Sequence, residues 1–141
     1  MVLVVDDSPN DIELTIFALE ATGREMSVRS AMDGQSALAM LGDGHELPAL
    51  ILLDMKIPVM GGIEVLRKIR ADERLRDLPV VVVTSSSIES DRTEAIAAGA
   101  SDYLLKPLAL EQFIKDLESI LQRWLPNKLK QPSSSLQSTE M

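Results

Sequence analysis

Short apolar runs alternate with amphipathic stretches along most of this chain. We predict five strands from these runs, at about residues 2–6, 27–31, 50–54, 80–84 and 102–105. Most of the runs are apolar without alternation, which indicates strands that are buried on both faces. Such strands are typical of a parallel sheet with helices packed on both sides.

A helix is predicted after each strand. The first follows Ser8, a good capping residue, and Pro9, a residue favoured at the first helical position; Gly23 ends it. Its broad apolar side is expected in the core and comprises Ile12, Leu14, Ile16, Phe17 and Leu19. The other helices are expected up to Leu41, around residues 63–70, and at about 89–98 and 110–125.

Five strand–helix units in about 125 residues predict a doubly wound α/β sandwich. Residues 1–126 are expected to form this domain. Residues 127–141 lack apolar periodicity and are predicted to be a flexible tail.

Composition narrows the possible functions. The net charge of -8 argues against nucleic-acid binding, which needs a basic surface. The absence of cysteine excludes disulfides, thiolate metal sites and cysteine nucleophiles, and a single histidine, His45, excludes a histidine-cluster metal site. Neither a membrane-spanning run nor a signal peptide is apparent, so we expect a cytoplasmic protein that does not enter a membrane.

Polar residues with complementary chemistry stand at the ends of the predicted strands. Asp6 and Asp7 follow the first strand, and Asp54, Thr84 and Lys106 stand at the ends of the third, fourth and fifth. Parallel strand ends share one edge of a sheet, where such folds bind ligands. Carboxylates held close together repel one another unless a cation neutralises them, and Mg²⁺ prefers such oxygen ligands. A carboxylate can attack phosphorus, so the set fits phosphoryl transfer to an aspartate.

Simpler interpretations exist for each residue taken alone. Asp54 could be a turn or capping residue, and Asp6 and Asp7 could merely cap the first helix. Thr84 could be an ordinary strand-end residue, and Lys106 a solvated lysine before a proline.

Five segments together resemble the receiver domain of two-component response regulators. They are VVDDS at 4–8, LLDMKIPVMGG at 52–62, VVTS at 82–85, GASDY at 99–103 and LKPL at 105–108. The resemblance covers roughly residues 1–125, in the right order and spacing. It implies a flavodoxin-like (βα)5 fold with strand order 2-1-3-4-5.

The resemblance also implies a role for each strand-end acid. Asp54 corresponds to the phosphoacceptor, and Asp7 to a direct ligand of Mg²⁺. Asp6 corresponds to a residue that reaches the ion, often through water. The backbone carbonyl of Lys56 would complete the protein's metal ligands, together with Asp54.

Further roles follow for residues of the last two strands. Thr84 corresponds to a hydroxyl that turns onto the phosphoryl group, and Lys106 to the ion-pair partner of the phosphoryl oxygens. Tyr103 occupies the place of an aromatic switch residue, although a partly exposed packing role is the alternative. The bond between Lys106 and Pro107 is expected to be cis, as in the family.

Two positions bear on the lifetime of a phosphoryl group. Lys56 and Ser86 lie two residues after Asp54 and Thr84, where family members tune hydrolysis. A lysine at position 56 is hypothesised to shield or hold the phosphoryl group. Gly61-Gly62 stands where Asp-Gly is frequent in the family, and the second glycine fits the expected turn.

The resemblance implies a phosphorelay protein rather than a conventional enzyme, with a sensor histidine kinase as phosphodonor and a downstream protein as partner. No DNA-binding output domain is expected. The last helix offers a candidate surface for a partner or a homodimer at Phe113, Leu117 and Trp124, although inward packing of the aromatic residues is the alternative. Its sequence is similar to single-domain regulators that partner bacterial phytochromes, which implies a phytochrome as kinase.

Other function classes compete with this one. A phosphorylation-independent interaction module would keep the fold without the chemistry, but the intact set Asp7, Asp54, Thr84 and Lys106 disfavours it. A haloacid-dehalogenase-like phosphatase needs an acid where Lys56 stands. A dinucleotide-binding enzyme needs a glycine-rich turn after the first strand, where this chain has Asp-Asp-Ser-Pro.

Overall fold

The computed structural model describes residues 1–125, in which strands and helices alternate without exception. The elements are β1 (Val2–Val5), α1 (Pro9–Ala21), β2 (Val28–Ala31), α2 (Gly34–Met40), β3 (Leu50–Leu53), α3 (Gly62–Ala71), β4 (Val80–Thr84), α4 (Glu89–Ala97), β5 (Asp102–Leu105) and α5 (Leu110–Trp124). The predicted strands and helices are confirmed, with bounds that differ by a residue or two. The tail predicted at 127–141 lies outside the described residues.

The five strands form one parallel sheet in the order β2-β1-β3-β4-β5, which confirms the predicted fold class. The register pairs Val5 with both Ala31 and Leu53, so β1, β2 and β3 end level with one another. Residues that directly follow these strands are therefore neighbours at one edge of the sheet. This edge is called the carboxyl edge below.

The core consists of two apolar layers, one on each face of the sheet. Val2 and Val4 of β1 face the layer beneath α1 and α5, whereas Leu3 and Val5 face the layer beneath α2 and α3. Both faces of β1 are buried, which explains why its sequence is apolar without alternation. None of the helices within residues 1–125 is long and apolar enough to span a bilayer.

The expectation that the whole apolar side of α1 is buried is wrong for two residues. Leu14 is 45% exposed and Phe17 is 54% exposed, whereas Ile12 and Leu19 are buried. Successive helical residues are rotated by about 100°, so Leu14 lies about 200° around the helix from Ile12. The buried stripe passes instead through Thr15, which is 4% exposed.

The candidate interface on α5 is also corrected. Phe113 and Leu117 are buried against the sheet, so neither offers a surface to a partner of this folded chain. Their spacing of four residues places both on the inward face of α5. Trp124 is half-buried against the same layer, and its indole N–H donates to the Asp102 carboxylate at 3.3 Å.

Candidate functional site

The carboxyl edge brings together the acidic residues that follow β1 and β3. The Asp54 N–H donates to the Val5 carbonyl at 2.9 Å, and the Asp6 N–H donates to the Ala31 carbonyl at 3.0 Å. These bonds hold the residues after β1 and β3 side by side. One carboxylate oxygen from each of Asp6, Asp7 and Asp54 lies within 4.8 Å of the others.

Asp6 and Lys106 form the most buried ion pair of this cluster. The Lys106 Nζ lies 2.8 Å from Asp6 Oδ2, and the Asp6 side chain is only 5% exposed. Asp6 Oδ1 accepts a second hydrogen bond, from the Ser8 N–H at 3.0 Å. Burial lowers the pKa of Lys106, but the hydrogen bond and charge of Asp6, with the charges of Asp54 and Asp11, outweigh it. The pKa of Lys106 therefore lies above its ordinary value, and the amine is protonated at neutral pH.

Asp54 is more accessible than Asp6 and has fewer partners. Its Oδ1 accepts from the Lys56 N–H at 3.2 Å, and its Oδ2 lies 4.0 Å from the Lys106 Nζ, beyond hydrogen-bonding distance. Burial raises the pKa of Asp54, and the charges of Asp6 and Asp7 add to this rise. The Lys56 N–H and the Lys106 ammonium oppose it without cancelling it. The hydrogen bond and the positive charge beside Asp54 are thus too weak to offset the effects of burial and of the neighbouring carboxylates.

The acidic cluster has the composition of a metal site. Three carboxylates at this separation repel one another. The pKa of Asp54 is raised mainly by burial, and the charges of Asp6 and Asp7 add a smaller part. A divalent cation bound through these oxygens would relieve the repulsion, so the residues fit such an ion. The loop after β3 supports the cluster, because Gly62 allows the chain to turn closely over Asp54 and Met55.

A chain of hydrogen bonds leads from the end of β4 to the ring of Tyr103. The Thr84 hydroxyl accepts from the Ser86 N–H at 3.3 Å, and the Ser86 carbonyl accepts from the Tyr103 hydroxyl at 3.2 Å. Thr84 and Ser86 are both buried. Burial, followed by the charge of Asp91, raises the pKa of the Tyr103 phenol, so it remains a neutral donor.

The same loop is tied to α4. The Ser86 hydroxyl donates to the Asp91 carboxylate at 2.5 Å, and the Arg92 guanidinium carbon lies 5.7 Å from the centre of the Tyr103 ring. A surface pocket of about 200 Å³ between this loop, α4 and β5 is lined by Ser86, Ser87, Ile88, Glu89, Arg92, Tyr103 and Leu105. A shift of Ser86 would therefore alter the surface formed by α4 and β5.

The expectation of a cis bond before Pro107 is wrong, because no peptide bond within residues 1–125 is cis. The trans form is the one that a bond before proline favours, by about 0.5–1 kcal/mol. Lys106 is nevertheless positioned at the edge, because its N–H donates to the Thr84 carbonyl at 2.8 Å.

Three residues make contacts around the site that the sequence did not predict. Asp11 of α1 reaches the Lys106 ammonium, Ser86 connects the Thr84 hydroxyl to Tyr103, and Arg92 lies over the Tyr103 ring. From the sequence, Asp11 was recognisable only as an acidic residue in the first turn of a helix, which is a common feature of helices. The contact with Lys106 depends on how α1 packs beside β5's end, which no local pattern shows.

Comparison with known proteins agrees with this geometry. The family model for the response regulator receiver domain matches residues 2–118. The probable methanogenesis regulatory protein FilR2 of Methanothrix harundinacea is 36% identical over 129 residues, which cover 89% of this chain and 83% of that protein. The chain spans only 23–56% of the length of the other curated relatives compared.

Solved structures show the same fold. The phosphorylated cyanobacterial phytochrome response regulator RcpA has a TM-score of 0.81 and 32% identity, over 94% of this chain and 97% of that chain. The receiver domain of the sensor histidine kinase PA1611 of Pseudomonas aeruginosa, with magnesium in its active-site cleft, has a TM-score of 0.75 and 31% identity, over 88% of this chain and 95% of that chain. Receiver domains are signalling proteins that interact with histidine kinases. This chain belongs to the receiver domain family of two-component response regulators.

Proposed function

We propose that Asp54 accepts a phosphoryl group from the phosphohistidine of a sensor histidine kinase, in a reaction that requires Mg²⁺. One observation carries the proposal: a partly accessible carboxylate at a strand end lies beside two further carboxylates and 4.0 Å from an ammonium group. A nucleophile with neighbours suited to bind a cation and an anion is what such a transfer needs, which supports the proposal.

The transfer itself needs one bond to form and one to break. An oxygen of Asp54 attacks phosphorus, and the bond from phosphorus to the histidine nitrogen breaks with its electron pair on nitrogen. The product is an acyl phosphate on Asp54. The Lys106 ammonium and the Thr84 hydroxyl stabilise charge on the phosphoryl oxygens.

The metal ligands follow from the acidic cluster. Asp6, Asp7 and Asp54, with the backbone carbonyl of Lys56, would hold Mg²⁺. When bound, Mg²⁺ supplies positive charge that offsets the carboxylates and the incoming phosphoryl group. Asp6 also keeps the Lys106 ammonium at the site.

The lifetime of the phosphoryl group is proposed to depend on Lys56. Its side chain is exposed on the loop after Asp54, from which its ammonium could shield the phosphoryl group or hold it by charge. Comparing dephosphorylation of the wild-type protein with that of Lys56→Ala tests this role. Equal rates would show that Lys56 does not act on the phosphoryl group.

The signal is proposed to leave the site through Thr84, Ser86 and Tyr103. Inward movement of the Thr84 hydroxyl would shift the Ser86 loop, and with it the Tyr103 ring and α4. A downstream protein, or a second copy of the chain, would bind the altered surface of α4 and β5. The similarity to RcpA supports a phytochrome as the cognate kinase. Output through protein binding rather than DNA binding is consistent with the acidic composition.

The first test is intact-mass measurement after incubation with Mg²⁺ and acetyl phosphate, with the variant Asp54→Asn and a chelator control alongside. We expect one added phosphoryl group on the wild-type protein only when Mg²⁺ is present, and none on the variant. The elution volume on a sizing column, measured on the same samples, reports whether phosphorylation promotes self-association. If neither acetyl phosphate nor beryllofluoride modified the wild-type protein, a phosphorylation-independent interaction module would replace this proposal.

A further inference from the structure

Asp11 contacts the lysine of the site from a different element. It lies in the first turn of α1, where its N–H donates to the Ser8 hydroxyl at 3.2 Å. Its carboxylate Oδ2 lies 3.2 Å from the Lys106 Nζ, 95 residues away in sequence. A residue that serves only a helix end has no need of this second contact.

The Lys106 ammonium is hydrogen-bonded to two carboxylates, and Asp54 is not one of them. It lies 2.8 Å from Asp6 and 3.2 Å from Asp11, but 4.0 Å from Asp54. An ammonium has three N–H donors, so these two bonds occupy most of its capacity. One donor remains, so a phosphoryl group on Asp54 would share the ammonium with these two carboxylates and compete with them for it.

The two partners differ in how easily they release the ammonium. The Asp6 side chain is 5% exposed, whereas the Asp11 side chain is 46% exposed. Separating a charge from a buried partner is costly, because the partner is left without water. Asp11 can be rehydrated as it separates, so the bond to Asp11 is the one that breaks.

We propose that Asp11 is a positioning residue that competes with the phosphoryl group for the Lys106 ammonium. In the unphosphorylated protein it keeps the ammonium beyond hydrogen-bonding distance of Asp54. Phosphorylation draws the ammonium away from Asp11, so the Asp11 contact opposes the phosphorylated state. This role rests on the proposed function of Asp54.

The test measures the affinity of the wild-type protein and of Asp11→Asn for beryllofluoride, a phosphoryl stand-in, at saturating Mg²⁺. Removing the charge should tighten binding about two- to five-fold, the range expected for an ion pair with one exposed member. The gain should shrink at high salt, because exposed pairs are screened. Asp11→Glu, which retains the carboxylate, should restore binding close to that of the wild type.

Glu13→Gln is the matched control. Glu13 is exposed on the same helix and makes none of the ion pairs of Lys106, but its substitution removes the same unit of charge. We expect its beryllofluoride affinity to equal that of the wild type.

Several outcomes would overturn the role of Asp11. Unchanged affinity in Asp11→Asn, or an equal gain in Glu13→Gln, would show that the contact with Lys106 does not matter. Loss of folding in Asp11→Asn would show that the carboxylate serves the helix end instead. If the wild-type protein bound no beryllofluoride, the proposed function itself would fail, and the role of Asp11 with it.

Discussion

Gly62→Ala should destabilise the protein because the loop after Asp54 has no space for a side chain there. A Cβ at position 62 would lie 2.4 Å from the Asp54 carbonyl oxygen and 2.8 Å from the Met55 Cα. Both contacts are with backbone, so no side-chain rotation relieves them. Gly62 does not adopt a positive φ, so the cost comes from the clash alone.

The magnitude follows from two opposing effects. Alanine favours a helix over glycine by up to about 1 kcal/mol, and Gly62 is the first residue of α3. Forcing atoms into a packed region costs about 1–3 kcal/mol, and the approach here is shorter than any ordinary contact. The upper end of that cost applies, and subtracting the gain in helix propensity leaves an expected fall of about 2 kcal/mol in the free energy of unfolding, measured by urea denaturation.

The same change should impair the site, because relief of the clash moves the backbone of Asp54. Displacements of this kind have large effects on reacting groups, so beryllofluoride affinity should fall about tenfold or more. Gly61→Ala is the matched control, since its Cβ would meet only the Met55 carbonyl oxygen, at 3.8 Å. Equal effects of the two substitutions, or a neutral Gly62→Ala, would refute the close approach at Gly62.

Three further expectations concern stability and are checked by urea denaturation. Phe113→Ala should lower the free energy of unfolding by about 3–5 kcal/mol because the ring is buried, whereas Phe17→Ala should change it by less than about 1 kcal/mol. Equal losses would contradict the assignment of Phe113 to the core and of Phe17 to the surface. Val59→Asn should raise the free energy of unfolding by about 1 kcal/mol, because Val59 is fully exposed and has a φ of 66°, a conformation that asparagine adopts more readily than valine. A lower free energy of unfolding would argue against backbone strain at Val59. Arg70→Lys should lower the free energy of unfolding by about 2–3 kcal/mol, because it removes hydrogen bonds from the guanidinium to the backbone carbonyls of residues 76, 78 and 99. It should leave beryllofluoride affinity unchanged.

The fold was predictable because its strongest determinants are local. Unbroken apolar runs such as Leu50–Leu53 identify buried parallel strands, and the turn residues between elements limit where each helix can start. The orientation of α1 was not predictable from apolar positions alone. Its inward stripe includes the polar residue Thr15, so counting apolar residues wrongly assigned Phe17 to the core.

The site was predictable to the extent that it depends on strand ends. Asp6 and Asp54 come together because β1 and β3 are paired in register. The alternation of strands and helices predicts that the strand ends share one edge, and the resemblance to receiver domains implies that these two strands are neighbours. Contacts made from helices were not predictable. The approach of Asp11 to Lys106 and of Arg92 to Tyr103 depends on helix packing, and the left-handed conformation of Val59 has no signature in its residue type.

The balance of charge at the carboxyl edge explains why a cation and a phosphoryl group would bind together. The carboxylates of Asp6, Asp11 and Asp54 lie within 4.0 Å of the Lys106 ammonium, and that of Asp7 lies beside Asp6 and Asp54. That ammonium is already hydrogen-bonded to two of them, so by itself it cannot compensate an incoming dianion. A divalent cation at the acidic cluster would remove the excess negative charge first. The Lys106 ammonium, released from Asp11, could then bind the phosphoryl oxygens. The metal would thus make phosphorylation of Asp54 electrostatically possible, and the position of the lysine would change as a result.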